Sequence, residues 1–119
     1  LSLTKKSIFI SMGMGGNKKN VRQIFKKNKS VFCYCISEYP LEFKKIRWDE
    51  AIKHDGFSDH TEGIVAPILY CLLKKQKKIK SVYIEKHVKL KNSKGPDANS
   101  SINTEVLREM ISYIRTIEK

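Results

Sequence analysis

Two histidines stand among polar residues that a buried core histidine would have no use for. His60 ends the run Gly56-Phe57-Ser58-Asp59-His60, and His87 ends Ile84-Glu85-Lys86-His87. Neutral imidazoles bind divalent metals, and a pair of them leaves coordination positions open for water and substrate oxygens. Asp59 and Glu85, each close to a histidine, are candidates for the hydrogen bonds that orient metal-binding rings. A third polar knot, Gly95-Pro96-Asp97, follows. One such histidine alone would read as a hydrogen-bonded core residue. Two in this setting read as part of an enzyme. His54, beside Asp55 in a polar stretch, reads as a surface residue.

Both histidines must be carried by elements that bring them together. Ser7 to Ser11 is a short apolar strand running into the glycine turn Met12-Gly13-Met14-Gly15-Gly16. Val21, Ile24 and Phe25 at helical spacing predict a helix over 17–27, with Asn17 as its N-cap. Val31 to Ile36 is a second buried strand. A short helix is expected around Trp48 to Lys53, then a very short strand at Phe57-Ser58. Ile64 to Lys74 is strongly apolar and helical, and Lys74 to Lys80 reads as a polar turn. Val82-Tyr83-Ile84 is a fourth strand carrying on to His87. After a polar loop from Lys89 to Ser101, Thr104 can cap a helix to Glu118 whose broad apolar face is Val106, Leu107, Met110, Ile111, Ile114 and Ile117.

The order is thus β-α-β-(α)-β-α-β-α, which argues for a parallel sheet with helical crossovers. Polar residues recur after every strand: Ser11, then Ser37 and Tyr39, then Ser58 and His60, then Glu85 to His87. In parallel α/β folds those carboxyl ends build the active site. Four such units are half of an eight-stranded barrel, and residues 1–119 are read as one partial barrel domain. Four parallel strands would leave two open edges, so association is expected, with a missing barrel half or with a second copy.

Composition narrows the classes. Lys and Arg number 24 against 12 Asp and Glu, a net +12 that first suggests nucleic acid. The lysines are instead scattered as pairs (Lys5-Lys6, Lys18-Lys19, Lys26-Lys27, Lys44-Lys45, Lys74-Lys75, Lys77-Lys78), with no aromatic residues interleaved as stacking platforms. A solvated basic surface that attracts anionic substrates fits better. No apolar run approaches the roughly 20 residues of a membrane span, and Lys5-Lys6 precedes too short an apolar run for a signal peptide. Cys33, Cys35 and Cys71 are an odd count without disulfide spacing, which fits a reducing cytoplasm. Cys33 and Cys35 share one strand face; without a second pair they read as small buried thiols rather than as a metal site. Gly13-x-Gly15-Gly16 misses the dinucleotide-binding fingerprint.

Five segments, in order, resemble the sialic acid synthase family, which includes N-acetylneuraminate, legionaminate and pseudaminate synthases. They are Ile10-Ser11-Met12-Gly13-Met14, Cys35-Ile36-Ser37-Glu38-Tyr39-Pro40, Gly56-Phe57-Ser58-Asp59-His60-Thr61-Glu62-Gly63-Ile64, Ile84-Glu85-Lys86-His87 and Lys94-Gly95-Pro96-Asp97. The resemblance runs from about residue 8 to 118. It implies the last four βα units of a TIM barrel that condenses phosphoenolpyruvate with an N-acetylated hexosamine to give a nonulosonic acid. It implies that His60 and His87 bind Mn²⁺ or Mg²⁺, that Ser11, Ser37 and Tyr39 line the phosphoenolpyruvate pocket, that Ser58 donates to phosphate or carboxylate oxygens, and that Asp97 acts near metal and substrate hydroxyls. Departures from the family pattern are Met12, where threonine is usual, and Ala98, where histidine is common. The stretch from Pro40 to Gly56 is short for the family, and that from Lys74 to Ser81 is long. Acidic and lysine groups on the family's N-terminal strands are not in this sequence, so the chain alone is expected to be inactive. A phosphoenolpyruvate-using aldolase-type barrel with another acceptor, or a basic nucleic-acid-binding domain, are the alternatives.

Overall fold

Runs of β-branched and aromatic residues separated by glycine and lysine turns fold here as four βα units. The computed structural model describes residues 1–119. Its elements are β1 (Ile8–Ser11), α1 (Lys18–Ile24), β2 (Ser30–Cys35), α2 (Trp48–Ala51), β3 (Gly56–Asp59), α3 (Val65–Gln76), β4 (Tyr83–Lys86) and α4 (Thr104–Glu118), with one 3-10 turn at Phe43–Lys45. All strands are parallel and pair in chain order, β1-β2-β3-β4. The sheet curls strongly. Phe9 on β1 and Tyr83 on β4 meet edge-to-face at 5.2 Å, although two strands lie between them. This is half of a (β/α)8 barrel, as the alternation of elements predicts.

Strand alternation sorts the side chains into two layers. Phe9, Cys33, Gly56 and Tyr83 lie on the concave face, where a Cβ on Gly56 would stand 2.8 Å from Cys33 Sγ and 2.9 Å from the Tyr83 carbonyl oxygen. Only glycine on β3 leaves room for its neighbours on both flanking strands. The convex face carries the core. Tyr34, Leu41, Ile46, Ala51, Phe57, Ala66 and Tyr70 form one buried cluster, with Phe57 stacked on Tyr70 at 5.3 Å.

Several local expectations need correction. The first helix stops at Ile24 rather than Lys27; it buries no residue, so nothing packs to prolong it. Asn28 follows, its amide donating to the carbonyls of Thr4 and Lys6 at 2.9 and 2.8 Å, which fixes the turn. Asn17 does cap the helix, accepting from Lys19 and Asn20. The last helix is capped by Asn103, which accepts from Val106 N–H at 2.9 Å, and not by Thr104, already the first helical residue. Lys74 belongs to no polar turn. It is buried on α3, and its ammonium donates to the carbonyls of His54 and Ile52. His54 is likewise half-buried, its Nδ1 on the Glu50 carbonyl at 3.0 Å and its ring against Tyr34.

The margins are looser than the middle. Of the apolar face predicted for α4, only Met110 is buried, and Ile111 is 45% exposed. That helix packs on α3 and leaves a groove of about 690 Å³ between Ile111, Ile114, Ile117 and β4 residues Tyr83 and Ile84. No helix is long and apolar enough to cross a membrane.

Candidate metal and substrate site

Parity on two short strands decides what faces the concave side. On β3, Gly56 and Ser58 face inward while Phe57 packs outward on Tyr70. On β4, Tyr83 and Glu85 face inward while Ile84 joins the convex core. Ser58 pairs with Glu85 in register and Asp59 with Lys86. One step further, His60 and His87 therefore fall side by side, with ring centroids 5.4 Å apart.

Tyr39, from the segment after β2, joins them. Its ring lies 4.0 Å from that of His60, tilted by 30°, and 5.8 Å edge-on from that of His87. His60 is only 2% exposed, under this phenol. Its Nδ1 donates to the Ile36 carbonyl at 2.8 Å. A carbonyl can only accept, so this bond puts the proton on Nδ1 and leaves the Nε2 lone pair free. The backbone on both sides is also held, with Leu41 N–H on the His60 carbonyl and Ile102 N–H on the His87 carbonyl, each at 2.9 Å.

The remaining residues distribute along the same rim. Ser58 is buried beneath His60, on the same face. Asp97 shares with His87 an open cleft of about 270 Å³, bordered by the loop from Ser93 to Ala98. The phenol of Tyr39 is pushed above its ordinary range by desolvation first, then by its electrostatic neighbours Cys35, Asp97 and Glu85. Ser37 sits close to the turn after β1, where a Cβ on Gly13 would meet both Ser37 Oγ and Cys35 Sγ at 2.7 Å. Ser11 ends β1, in register with Cys33 and at the far edge of the sheet from His87. Tyr39, Asp97 and the histidine pair thus gather at one end of the rim, and Ser11 and Ser37 form its other end.

Two imidazole nitrogens are what this chain offers a divalent cation. No group of three His, Cys, Asp or Glu converges anywhere. The donor set fits a metal whose other positions are filled by water, substrate or further protein groups. Two of the three cysteines are poor ligands. Burial pushes the thiols of Cys33 and Cys71 up to about 11, so both stay protonated near neutrality. Of the two acids expected to orient the histidines, Glu85 lies on their face, but Asp59 does not. Asp59 points to the convex side and pairs with Lys86 at 2.8 Å, the two side chains 0% and 2% exposed. Lys86 was legible only as part of a motif, yet each partner stands one residue before a histidine; parity puts both on the convex face and the strand register puts them side by side.

A family model described as the NeuB family matches residues 1–119. The chain belongs to the NeuB family. An uncharacterized protein of Methanocaldococcus jannaschii is 33% identical over 130 residues, covering 98% of this chain and 36% of that protein. The N,N'-diacetyllegionaminic acid synthase of Campylobacter jejuni is 31% identical, covering 96% of this chain and 37% of its own length. The crystal structure of an N-acetylneuraminic acid (sialic acid) synthetase from Leptospira borgpetersenii, in complex with citrate, superposes with a TM-score of 0.76 at 22% identity, over 94% of this chain and 41% of that one. At that identity the superposition speaks for the fold. The chain thus spans about two-fifths or less of the length of these NeuB relatives.

Proposed function

We propose that these residues are the last four βα units of the catalytic barrel of a nonulosonic acid synthase, which joins phosphoenolpyruvate to an N-acetylated hexosamine. The observation that carries this reading is the adjacent rings of His60 and His87 on one concave face, with Tyr39 against both. In this reading the free Nε2 of His60 and the ring of His87 hold Mn²⁺ or Mg²⁺. A bound divalent ion supplies Lewis acidity for a sugar carbonyl. Tyr39 shields His60 from bulk water and, still protonated near neutrality, can donate to a substrate oxygen. Ser58 presents a hydroxyl beneath the histidines, and Ser37 and Ser11 extend that line of donors toward β1, where the anionic groups of phosphoenolpyruvate would lie. Asp97, across the cleft from His87, is placed to orient a sugar hydroxyl. A barrel needs eight strands, so we assign the rest of the site to four further βα units, on the same polypeptide or on another chain, with cytoplasm as the compartment.

Calorimetric titration of Mn²⁺ into the chain, with and without phosphoenolpyruvate, tests this. Binding is expected to need both histidines, to be lost in His60→Ala and in His87→Ala, and to tighten with phosphoenolpyruvate. Binding that survives both substitutions would sink the assignment. Salt-sensitive binding to random duplex DNA, unchanged by either substitution, would favour the nucleic-acid alternative.

A further inference from the structure

We infer that the buried ion pair Asp59–Lys86 is a positioning device, holding His60 and His87 in mutual register at the metal site proposed above, and the inference rests on that reading for its purpose. The pair bridges β3 and β4 at the last register position before the two histidines. Lys86 Nζ donates to Asp59 Oδ2 at 2.8 Å and to the Thr61 carbonyl at 2.5 Å, while Asp59 Oδ1 accepts from Thr61 N–H at 2.9 Å. The residues immediately before and after His60 are thus tied to the residue immediately before His87. No other ion pair joins two buried side chains.

Stability alone does not account for such a pair. Burying two charges costs free energy that their attraction only partly returns, and an apolar pair would hold two strands as well. What charges add is direction. β4 is four residues long, and its two apolar residues, Tyr83 and Ile84, are only half-buried, so apolar packing sets its register weakly. A slip of one residue would turn His87 to the convex face. An ammonium that must meet a carboxylate on β3 and a carbonyl two residues beyond it admits one register.

The test is the double variant Asp59→Asn/Lys86→Met, which removes both charges at nearly constant volume. Thermal unfolding, Mn²⁺ titration and the nuclear Overhauser contact between the His60 and His87 rings are measured together. The expected result is a folded protein that has lost the ring contact and binds Mn²⁺ about 10- to 100-fold more weakly, the range for removing a group that orients a metal ligand. Lys86→Arg, which can keep the ion pair, should bring both readouts back toward the parent. If the double variant does not fold, Asp59→Asn alone is read in the same two ways, since it keeps an acceptor for Thr61 N–H. A folded variant with ring contact and Mn²⁺ affinity unchanged overturns the inference. If the parent itself binds no Mn²⁺, the metal reading falls, and the ring contact alone decides whether the pair positions the histidines.

Discussion

The middle of this half-barrel and its margins are built to different standards. In β2, every residue but Ser30 is buried, and all four residues of β3 are; their helical cover α3 buries five side chains. In β1 only Ile8 is buried, in β4 only the side chain of Lys86; α1 buries nothing and α4 only Met110. The lesson is that a strand inside the sheet has neighbours on both sides and a helix layer above, whereas an edge strand has a neighbour on one side only. The candidate site straddles this boundary. His60 stands on the well-packed side, fixed by Ile36 and covered by Tyr39, and His87 on the looser one.

Substitutions can break this contrast. The largest effect is expected at Phe57, buried in the middle: Phe57→Ala should cost about 3–5 kcal/mol in denaturant unfolding. Phe9→Ala, on an edge residue 57% exposed, should cost under about 1 kcal/mol, in line with surface positions. Equal losses would mean that middle and margin form one core. A smaller effect is expected at the Asn103 cap: Asn103→Ala should destabilise by about 1 kcal/mol if α4 folds with the rest, and by nothing measurable if α4 frays independently. Amide hydrogen exchange along α4 distinguishes the two.

The smallest effect is a pH dependence. Burial lowers the pKa of His54 below its usual value, with the Glu50 carbonyl partly opposing the shift. The unfolded chain therefore takes up this proton at higher pH than the folded one, and stability rises with pH across the window from the lowered value up to 6.5. Melting temperatures between pH 5 and 8 should show a shallower slope in His54→Gln than in the parent. An unchanged slope would mean that His54 is as solvated as the margins are.

Much of this was legible beforehand. The alternation of apolar runs and turns gave the four βα units, and chemistry-bearing residues after each strand gave the rim, because strand parity and helical periodicity are local properties. What escaped depends on distant partners. Lys74 reads as one more lysine in a basic run until the carbonyls of Ile52 and His54, in the turn between α2 and β3, give its ammonium a buried home. His54 reads as surface until Tyr34 packs against it.

The sequence by itself determined which residues are polar at the strand ends, that Ser58, Asp59, His60 and Glu85, Lys86, His87 come in matching triplets, and that a helix separates them. Only the tertiary structure decided that the triplets lie in register, that their outer residues face the histidine side while Asp59 and Lys86 pair behind them, and that Tyr39 closes over His60. The physical reason is that register between parallel strands is set across a crossover of many residues. It follows from packing and from the Asp59–Lys86 contact, and no pattern along the chain encodes it.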